Sequence, residues 1–418
     1  MKLIDHWGNY VFFFFCVSIV LLGIGHIELP FPGASFSAWS VSRTCFFFWL
    51  LWKVLIWIRD GYAHLKQATK PVPVSFPIFF AIVTVSLLPT FYQAGDYRYF
   101  FFGCMHFLVV LDLFSTEKRV KWLILLLGLT PGLLVIRGLF YDPSVLDLSR
   151  MVRFGYPLDH ANTAGYLFSM SLPLAVGVIT IVSGWLQILA ILSVALQGIG
   201  LLLTYSRGAW VGLVLAMLFF GFAAKRYRQV ISIVVLASLF ALLAAPVRER
   251  FLNLMNPQND DAISTRVRLI TGSLKLGLEH PILGIGYGRG RLKEALKERF
   301  KGTIDEANPI WHAHNVYIEL FADTGILGLG AFLWLLWEAL LRTWQKANRA
   351  ENANFRISHL AVMAALVAFA VTGLGDVPFY HHETRIYFFT LLALAHLDWL
   401  RVPAVEARNV QLVGGSNA

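Results

Sequence analysis

His312-Ala-His314-Asn315 opens a run that continues Val-Tyr-Ile-Glu-Leu-Phe-Ala-Asp-Thr and then Gly325-Ile-Leu-Gly328-Leu-Gly-Ala-Phe-Leu-Trp-Leu-Leu-Trp337. A polar, titratable motif thus stands at the mouth of a long apolar helix. Crossing the hydrocarbon of a bilayer takes about 20 such residues. Ionisable groups at that boundary are costly and tend to be kept for function.

The rest of the chain repeats the apolar theme. Of 418 residues, 57% are hydrophobic, 15% aromatic and 14% charged. A soluble globular chain is about 45–50% apolar and about 25% charged. Mean hydropathy is +0.64. Runs of bilayer length make this an all-α polytopic membrane protein, because helices satisfy their own backbone groups in lipid. Hydropathy predicts about twelve transmembrane helices, near 10–28, 36–57, 75–94, 99–114, 121–139, 162–183, 185–204, 209–223, 229–245, 315–341, 357–374 and 384–400. No small-residue cleavage site follows the first, which reads as a retained helix. Cys16, Cys45 and Cys104 fall inside spans and read as packing residues, not disulfides or metal ligands.

Lysine and arginine gather in alternate loops: Lys66 and Lys70; Lys118, Arg119 and Lys121; Lys225, Arg226 and Arg228; Arg342, Lys346, Arg349 and Arg356. The positive-inside rule makes these cytoplasmic, with both termini inside. The net charge of +10 is then a topology and anionic-lipid signal. It does not point to nucleic acid, since no aromatic-interleaved basic patch sits on a soluble domain. On the far side one segment is long and charged, 246–313, and two stretches in it, 264–279 and 290–300, have helical spacing. The organisation is spans one to nine over 1–245, a large loop with short helices over 246–313, spans ten to twelve over 314–402, and a cytoplasmic tail over 403–418.

The far-side chemistry starts with Thr204-Tyr-Ser-Arg207-Gly-Ala-Trp210. An arginine fork beside a helix N-terminus suits phosphate or pyrophosphate; the bland alternative is a snorkelling anchor beside an interfacial tryptophan. Arg266 and Arg268 are two residues apart on a helix, so one of them reaches a common site. Arg289 and Arg291 repeat that spacing beyond Gly284-Ile-Gly286-Tyr-Gly288, itself a turn whose bare backbone permits close approach. A solvated charged face is the alternative for all four. His314 is the candidate general base, with His312 as substitute or orienting partner. Asn315 caps the helix or orients a substrate. The competing readings are a metal pair completed by His381-His382, or a plain helix cap. His160 and Asn162 stand at the mouth of span six, and Asp376 stands beyond span eleven; Asp159 or Asp376 can orient a histidine or a sugar hydroxyl. Gly325 and Gly328 read as a close helix–helix contact.

Taken in order, Asp159-His160-Ala-Asn162-Thr-Ala-Gly165, Ser206-Arg207-Gly-Ala-Trp210, His280-Pro281-Ile-Leu-Gly284-Ile-Gly286-Tyr-Gly288, and His314-Asn315 followed nine residues later by Gly325-x-x-Gly328 resemble the landmarks of bacterial O-antigen ligases. The arginine and glycine landmarks are shared with O-antigen polymerases and protein O-oligosaccharyltransferases. The resemblance covers roughly 150–330 and, through the twelve-span layout, the whole chain. It implies a GT-C-like glycosyltransferase of the bacterial inner membrane with a periplasmic active site and a large periplasmic loop. Such an enzyme moves glycan from undecaprenyl pyrophosphate to a sugar hydroxyl of lipid A–core, without metal or cofactor. In those terms Arg207, Arg266 and Arg289 hold the donor pyrophosphate, and His314 with His312 carries the catalysis. Asn315, His160, Asn162 and Asp376 orient substrate. The expected partners are the lipid-linked donor, the lipid A–core acceptor and membrane lipids, with the protein a monomer and no nucleic acid involved. A lipid-linked glycan transporter is the rival from another class, but polar residues clustered at one face, not at mid-span, argue against it.

Overall fold

The computed structural model describes residues 2–24, 27–28, 35–36, 38–60, 72–87, 95–147, 152–158, 160–226, 261–304 and 312–397, with four isolated positions between 228 and 248. Apart from a two-residue antiparallel strand pair, Ile27–Glu28 with Ser35–Phe36, the regular structure described is helical. In chain order the α-helices are α1 (Lys2–Ile24), α2 (Ala38–Asp60), α3 (Ser75–Ser86), α4 (Gly95–Leu113), α5 (Glu117–Tyr141), α6 (Ala161–Ile181), α7 (Trp185–Leu203) and α8 (Arg207–Ala223), then α9 (Asp261–Glu279), α10 (Arg289–Arg299), α11 (Val316–Arg349), α12 (Ala353–Thr372) and α13 (His382–His396). Among the described residues, six helices are long and apolar enough to cross a membrane: α2, α5, α6, α7, α11 and α12, with shorter apolar stretches in α1, α3 and α8. This is a multi-pass membrane protein. The apolar stretches read from the sequence fall largely on these helices, except the ninth, 229–245, most of which lies outside the described residues, as does the tail. α9 and α10 are the two helices expected in the large loop.

In α5 a neighbouring helix answers the break that proline makes in the backbone ladder. Pro131 inside α5 has no N–H for the Leu127 carbonyl; the buried Tyr387 hydroxyl of α13 donates to that oxygen at 2.9 Å. Gln197 Nε2 of α7 likewise donates to Gly128 O at 2.7 Å. α6 is the buried hub, packed against α5, α7, α8, α12 and α13. Small residues let the helices approach closely, as bilayer packing favours: a Cβ on Gly177 would lie 2.7 Å from that of Ala361. On the basic end, Lys53 pairs with Asp112 at 2.7 Å while Trp49 Nε1 donates to the other carboxylate oxygen at 2.8 Å. Also at this end, Arg119, Lys346 and Arg356 donate to terminal carbonyls of α4 (Leu113), α13 (Ala395) and α8 (Ala223). Basic residues there answer the orphan carbonyls and negative dipoles of helix C-termini.

The feature that positions the site is a break in α11. Gly325 has φ 65° and ψ −167°, a conformation essentially reserved for glycine. The break separates the Ala322 and Asp323 carbonyls from their helical donors, the N–H groups of Ile326 and Leu327. The glycine-rich loop takes up all four groups. Ile285 N–H donates to Ala322 O at 2.8 Å and Gly286 N–H to Asp323 O at 2.9 Å. In return Ile326 N–H donates to Pro281 O at 2.8 Å and Leu327 N–H to Ile282 O at 3.4 Å. Hence Gly325 and Gly328 do not make the helix–helix contact expected from their spacing. A Cβ on Gly325 would lie 2.2 Å from Ile282 O in the loop, and one on Gly328 would meet Thr324 of its own helix. The contact is helix to loop, and it clasps the large loop to α11.

Candidate active site

Three helices begin at the same end of the bundle. α6 is capped by His160, whose Nδ1 accepts from Asn162 N–H at 3.2 Å. α11 is capped by Asn315, whose Oδ1 accepts from the Tyr317 and Ile318 N–H groups, each at 3.0 Å. α8 starts at Arg207 after a turn in which Tyr205 adopts a φ of 50°. These N-termini carry partial positive charge, and at α6 and α11 the caps take up first-turn N–H groups.

A cleft lies between them, lined by Arg153, Asn162, Tyr205, Arg207, Arg266 and Asp376 among others. Of the two arginines spaced two apart on α9, Arg266 reaches this cleft, while Arg268 turns away and donates to Thr303 O at 3.0 Å. Arg289 begins α10; its side chain lies outside the described residues.

His314 adjoins the cleft through Asp376. The first residues of α11 are knitted to the turn after α12: Val316 N–H donates to Gly373 O at 2.8 Å, and Asn315 Nδ2 donates to Leu374 O at 3.0 Å. That stitching brings the buried Asp376 beside the buried His314, with Oδ1 3.4 Å from Nδ1. His314 itself sits at φ 48°, left-handed for a residue with a Cβ, a strain of about 1–2 kcal/mol. Two hydrogen bonds hold the turn: His314 N–H to His312 Nδ1 at 3.1 Å, and Ala313 N–H to Glu319 Oε2 at 2.9 Å. The two imidazole rings are 4.0 Å apart between centroids, and His312 Nδ1 is 3.9 Å from Glu319 Oε2.

Asp376 is held from every side. Asn162 Nδ2 donates to Oδ2 at 2.8 Å and Val377 N–H to Oδ1 at 3.0 Å. Arg153 in turn donates from Nη2 to Asn162 Oδ1 and from Nε to Thr204 O, the latter at 2.9 Å. Burial pushes the Asp376 carboxyl up, but the bond from His314, the charge of both histidines and the Tyr166 hydroxyl outweigh it. The carboxyl is held well below the usual carboxylate range, and the group is an anion. The arrangement is a relay, Arg153 to Asn162 to Asp376 to His314, flanked by two guanidinium forks. It can fix a histidine ring and hold an anion of pyrophosphate type.

Among the sequence-selected residues, Asn162, Asp376, Arg207, Arg266, His312 and His314 come together. His160 and Asn315 use their side chains as helix caps. Asp159 lies outside the described residues. His381 does not complete the histidine pair: its Nδ1 is 3.0 Å from Thr163 Oγ1, and His382 stacks on Tyr99 at 3.6 Å. One ring nitrogen each of His312 and His314 and a carboxylate oxygen of Asp376 lie within 4.8 Å of one another, the group best placed to hold a metal among the described residues. Sequence reading missed Arg153, which looked like any loop arginine. It also missed Glu319 and Asp323, buried acids one helical turn apart on α11. Asp323 accepts from the Tyr380 hydroxyl at 2.7 Å; burial and the two acids push that phenol well up. Two carboxylates at i and i+4 in an apolar helix are a signal that could have found them.

Residues 188–333 match the family model of O-antigen ligase. The matched stretch runs from α7 into α11 and contains Arg207, Arg266, Arg289, His312, His314 and Asn315. It supports the resemblance to the ligase and polymerase superfamily read from the sequence. No curated protein matches the chain.

Proposed function

We propose that this protein is an O-antigen ligase. It transfers glycan from undecaprenyl pyrophosphate to a sugar hydroxyl of lipid A–core, at the periplasmic face of the inner membrane. About twelve spans in a GT-C-like arrangement, with both termini cytoplasmic, carry the site. The observation that carries the reading is the juxtaposition of His314 and Asp376 with the Arg207–Arg266 cleft.

The donor is already activated, so the protein has two tasks. Arg207 and Arg266 neutralise charge developing on the departing pyrophosphate; groups of this kind contribute several kcal/mol when preorganised. Arg289 is a further pyrophosphate ligand in this reading. His314 takes the proton of the attacking hydroxyl, a contribution of about 10²–10⁴-fold. Asp376 faces Nδ1 and so leaves Nε2 for substrate, with Asn162 fixing the carboxylate. His312, backed by Glu319, supports the His314 turn. The acceptor oxygen bonds to the anomeric carbon, the bond from that carbon to the pyrophosphate oxygen breaks, undecaprenyl pyrophosphate leaves, and the proton ends on the imidazole. One such displacement inverts the anomeric centre. The chemistry calls for no metal, cofactor or nucleotide, and the protein acts as a monomer.

The test is purified protein with undecaprenyl-pyrophosphate glycan and rough lipopolysaccharide, EDTA present. A ladder on lipopolysaccharide that is lost in His314→Ala, with donor binding retained, is the expected result. Elongation of the lipid-linked glycan alone makes the protein a polymerase, and retained stereochemistry in the product rejects the single displacement.

A further inference from the structure

α9 divides into three sectors when its residues are turned through about 100° each. Leu269, Gly272, Ser273, Leu276 and Gly277 are buried, the face that packs on α11 and α10. Lys275, Arg268 and Glu279 form a charged flank open to solvent. Between that flank and the packed face lies a third sector, Val267, Leu274 and Leu278, at spacings of seven and four. It is apolar and exposed; Leu278 is 63% and Val267 56% exposed. A solvated loop helix has no reason to carry such a stripe.

The stripe continues past the helix. Ile282 is 62% exposed, and its carbonyl and that of Pro281 accept from Leu327 and Ile326 at the start of the long segment of α11. Ile326 and Leu327 are exposed as well, and Leu333, Trp334 and Trp337 continue the outward face of that spanning helix. The apolar side of α9 is therefore continuous with a lipid-facing surface, while its charged flank points elsewhere.

We infer that α9 is an interfacial helix, lying in the membrane surface with Val267, Leu274, Leu278 and Ile282 in the hydrocarbon of the bilayer leaflet at the site's end and Arg268, Lys275 and Glu279 toward water. Its occupant is lipid acyl chain. Amphipathic helices of this pattern seat their apolar face about 5–10 Å into the headgroup boundary. On the same wheel Arg266 falls within the packed face, between Ser273 and Gly277 on its apolar side, where it reaches the cleft. The helix fixes the level at which a membrane-borne phosphate meets the cleft. The inference rests on the chain spanning a membrane and not on the transfer reaction.

Single cysteines test it, in full-length protein with Cys16, Cys45 and Cys104 replaced by alanine and embedded in phosphatidylethanolamine–phosphatidylglycerol nanodiscs. Nitroxide labels on Val267→Cys, Leu274→Cys and Leu278→Cys should collide several-fold more with oxygen than with a water-soluble nickel chelate. Labels on Arg268→Cys and Lys275→Cys should show the reverse. Stripe labels as open to nickel as the flank labels overturn the inference, and so do stripe labels shielded from both, which would mean a protein partner or second copy. A second measurement uses the unaltered chain with a diazirine-acyl phospholipid. Adducts within 267–282 are expected; adducts on the spanning part of α11 without any in 267–282 would overturn it. Neither readout depends on turnover, so a failure here leaves the ligase reading untouched, and the reverse.

Discussion

Gly325→Ala is the sharpest probe of the clasp that ties the large loop to α11. If the clasp holds, alanine must adopt a backbone conformation reserved for glycine, at about 1–3 kcal/mol. Its Cβ must also push away the Ile282 carbonyl 2.2 Å off, an overpacking of about 1–3 kcal/mol. If the clasp opens instead, the four exchanged backbone hydrogen bonds are lost, at about 0.5–1.5 kcal/mol each. Either route gives roughly 2–6 kcal/mol, so the choice between them barely alters the expectation. Opening moves α9, and Arg266 with it, relative to the His314 turn at the head of α11. The variant in detergent should melt several degrees below the parent and lose turnover out of proportion to the loss of folded protein. Gly330→Ala is the control: it lies on the same helix with nothing within 4 Å of its Cβ, and should be neutral or stabilise by up to about 1 kcal/mol. Equal melting and equal turnover for Gly325→Ala and Gly330→Ala would refute the clasp.

The arginines and the buried charges give the other expectations. Arg207→Ala and Arg266→Ala should each weaken binding of undecaprenyl pyrophosphate, with lysine rescuing poorly because the two-pronged fork is gone; unchanged affinity returns that arginine to a surface anchor. Asp376 has a depressed folded pKa, so the stability it contributes is fully present above the unfolded value of about 3.9 and is lost as pH falls below it. Asp376→Asn should flatten the acid limb of melting temperature against pH and lower turnover near neutrality; an acid limb identical to the parent's would mean Asp376 is not held as described. Lys53→Met strands Asp112 among apolar helices and should destabilise by about 3–5 kcal/mol, whereas Lys53→Met with Asp112→Leu should recover most of that. A double variant as unstable as the single would show that Trp49 or the packing, not the charge, is the issue.

Much of the fold was legible because lipid enforces it: a run of about 20 apolar residues has few alternatives to a helix. What hydropathy cannot see is how two segments share a break. Gly284 and Gly286 stand 41 and 39 residues before Gly325 in sequence; alone, the first two read as turn glycines and the third as a helix contact. Only the exchange of Ala322, Asp323, Ile326 and Leu327 with the loop gives them a common purpose. The expected helix–helix contact failed for that reason: a small residue announces a close approach but not what approaches. Arg153 was invisible on similar grounds, since its partners Asn162 and Thr204 are set by the packing of α6 against the α7–α8 turn.

The same distinction orders the motif residues by role. His160, Asn315, Gly284 and Gly325 are the positions at which chain geometry admits few side chains, and each is consumed by a cap or by the clasp. Arg207, Arg266, His314 and Asp376 are the positions at which chemistry is presented to the cleft. The first set fixes the second: Asn315 anchors the turn that bends His314 to φ 48° and docks it on the strand of chain bearing Asp376. Strain at His314 persists only because caps and stitching over-determine it, the usual condition for strained residues at working sites. At the opposite end of the bundle Arg119, Lys346 and Arg356 close helix C-termini. At the site end the starts of α6, α8 and α11 lie beside the ends of α7 and α12, so the positive potential that the proposed reading needs comes from Arg153, Arg207 and Arg266 and not from helix direction.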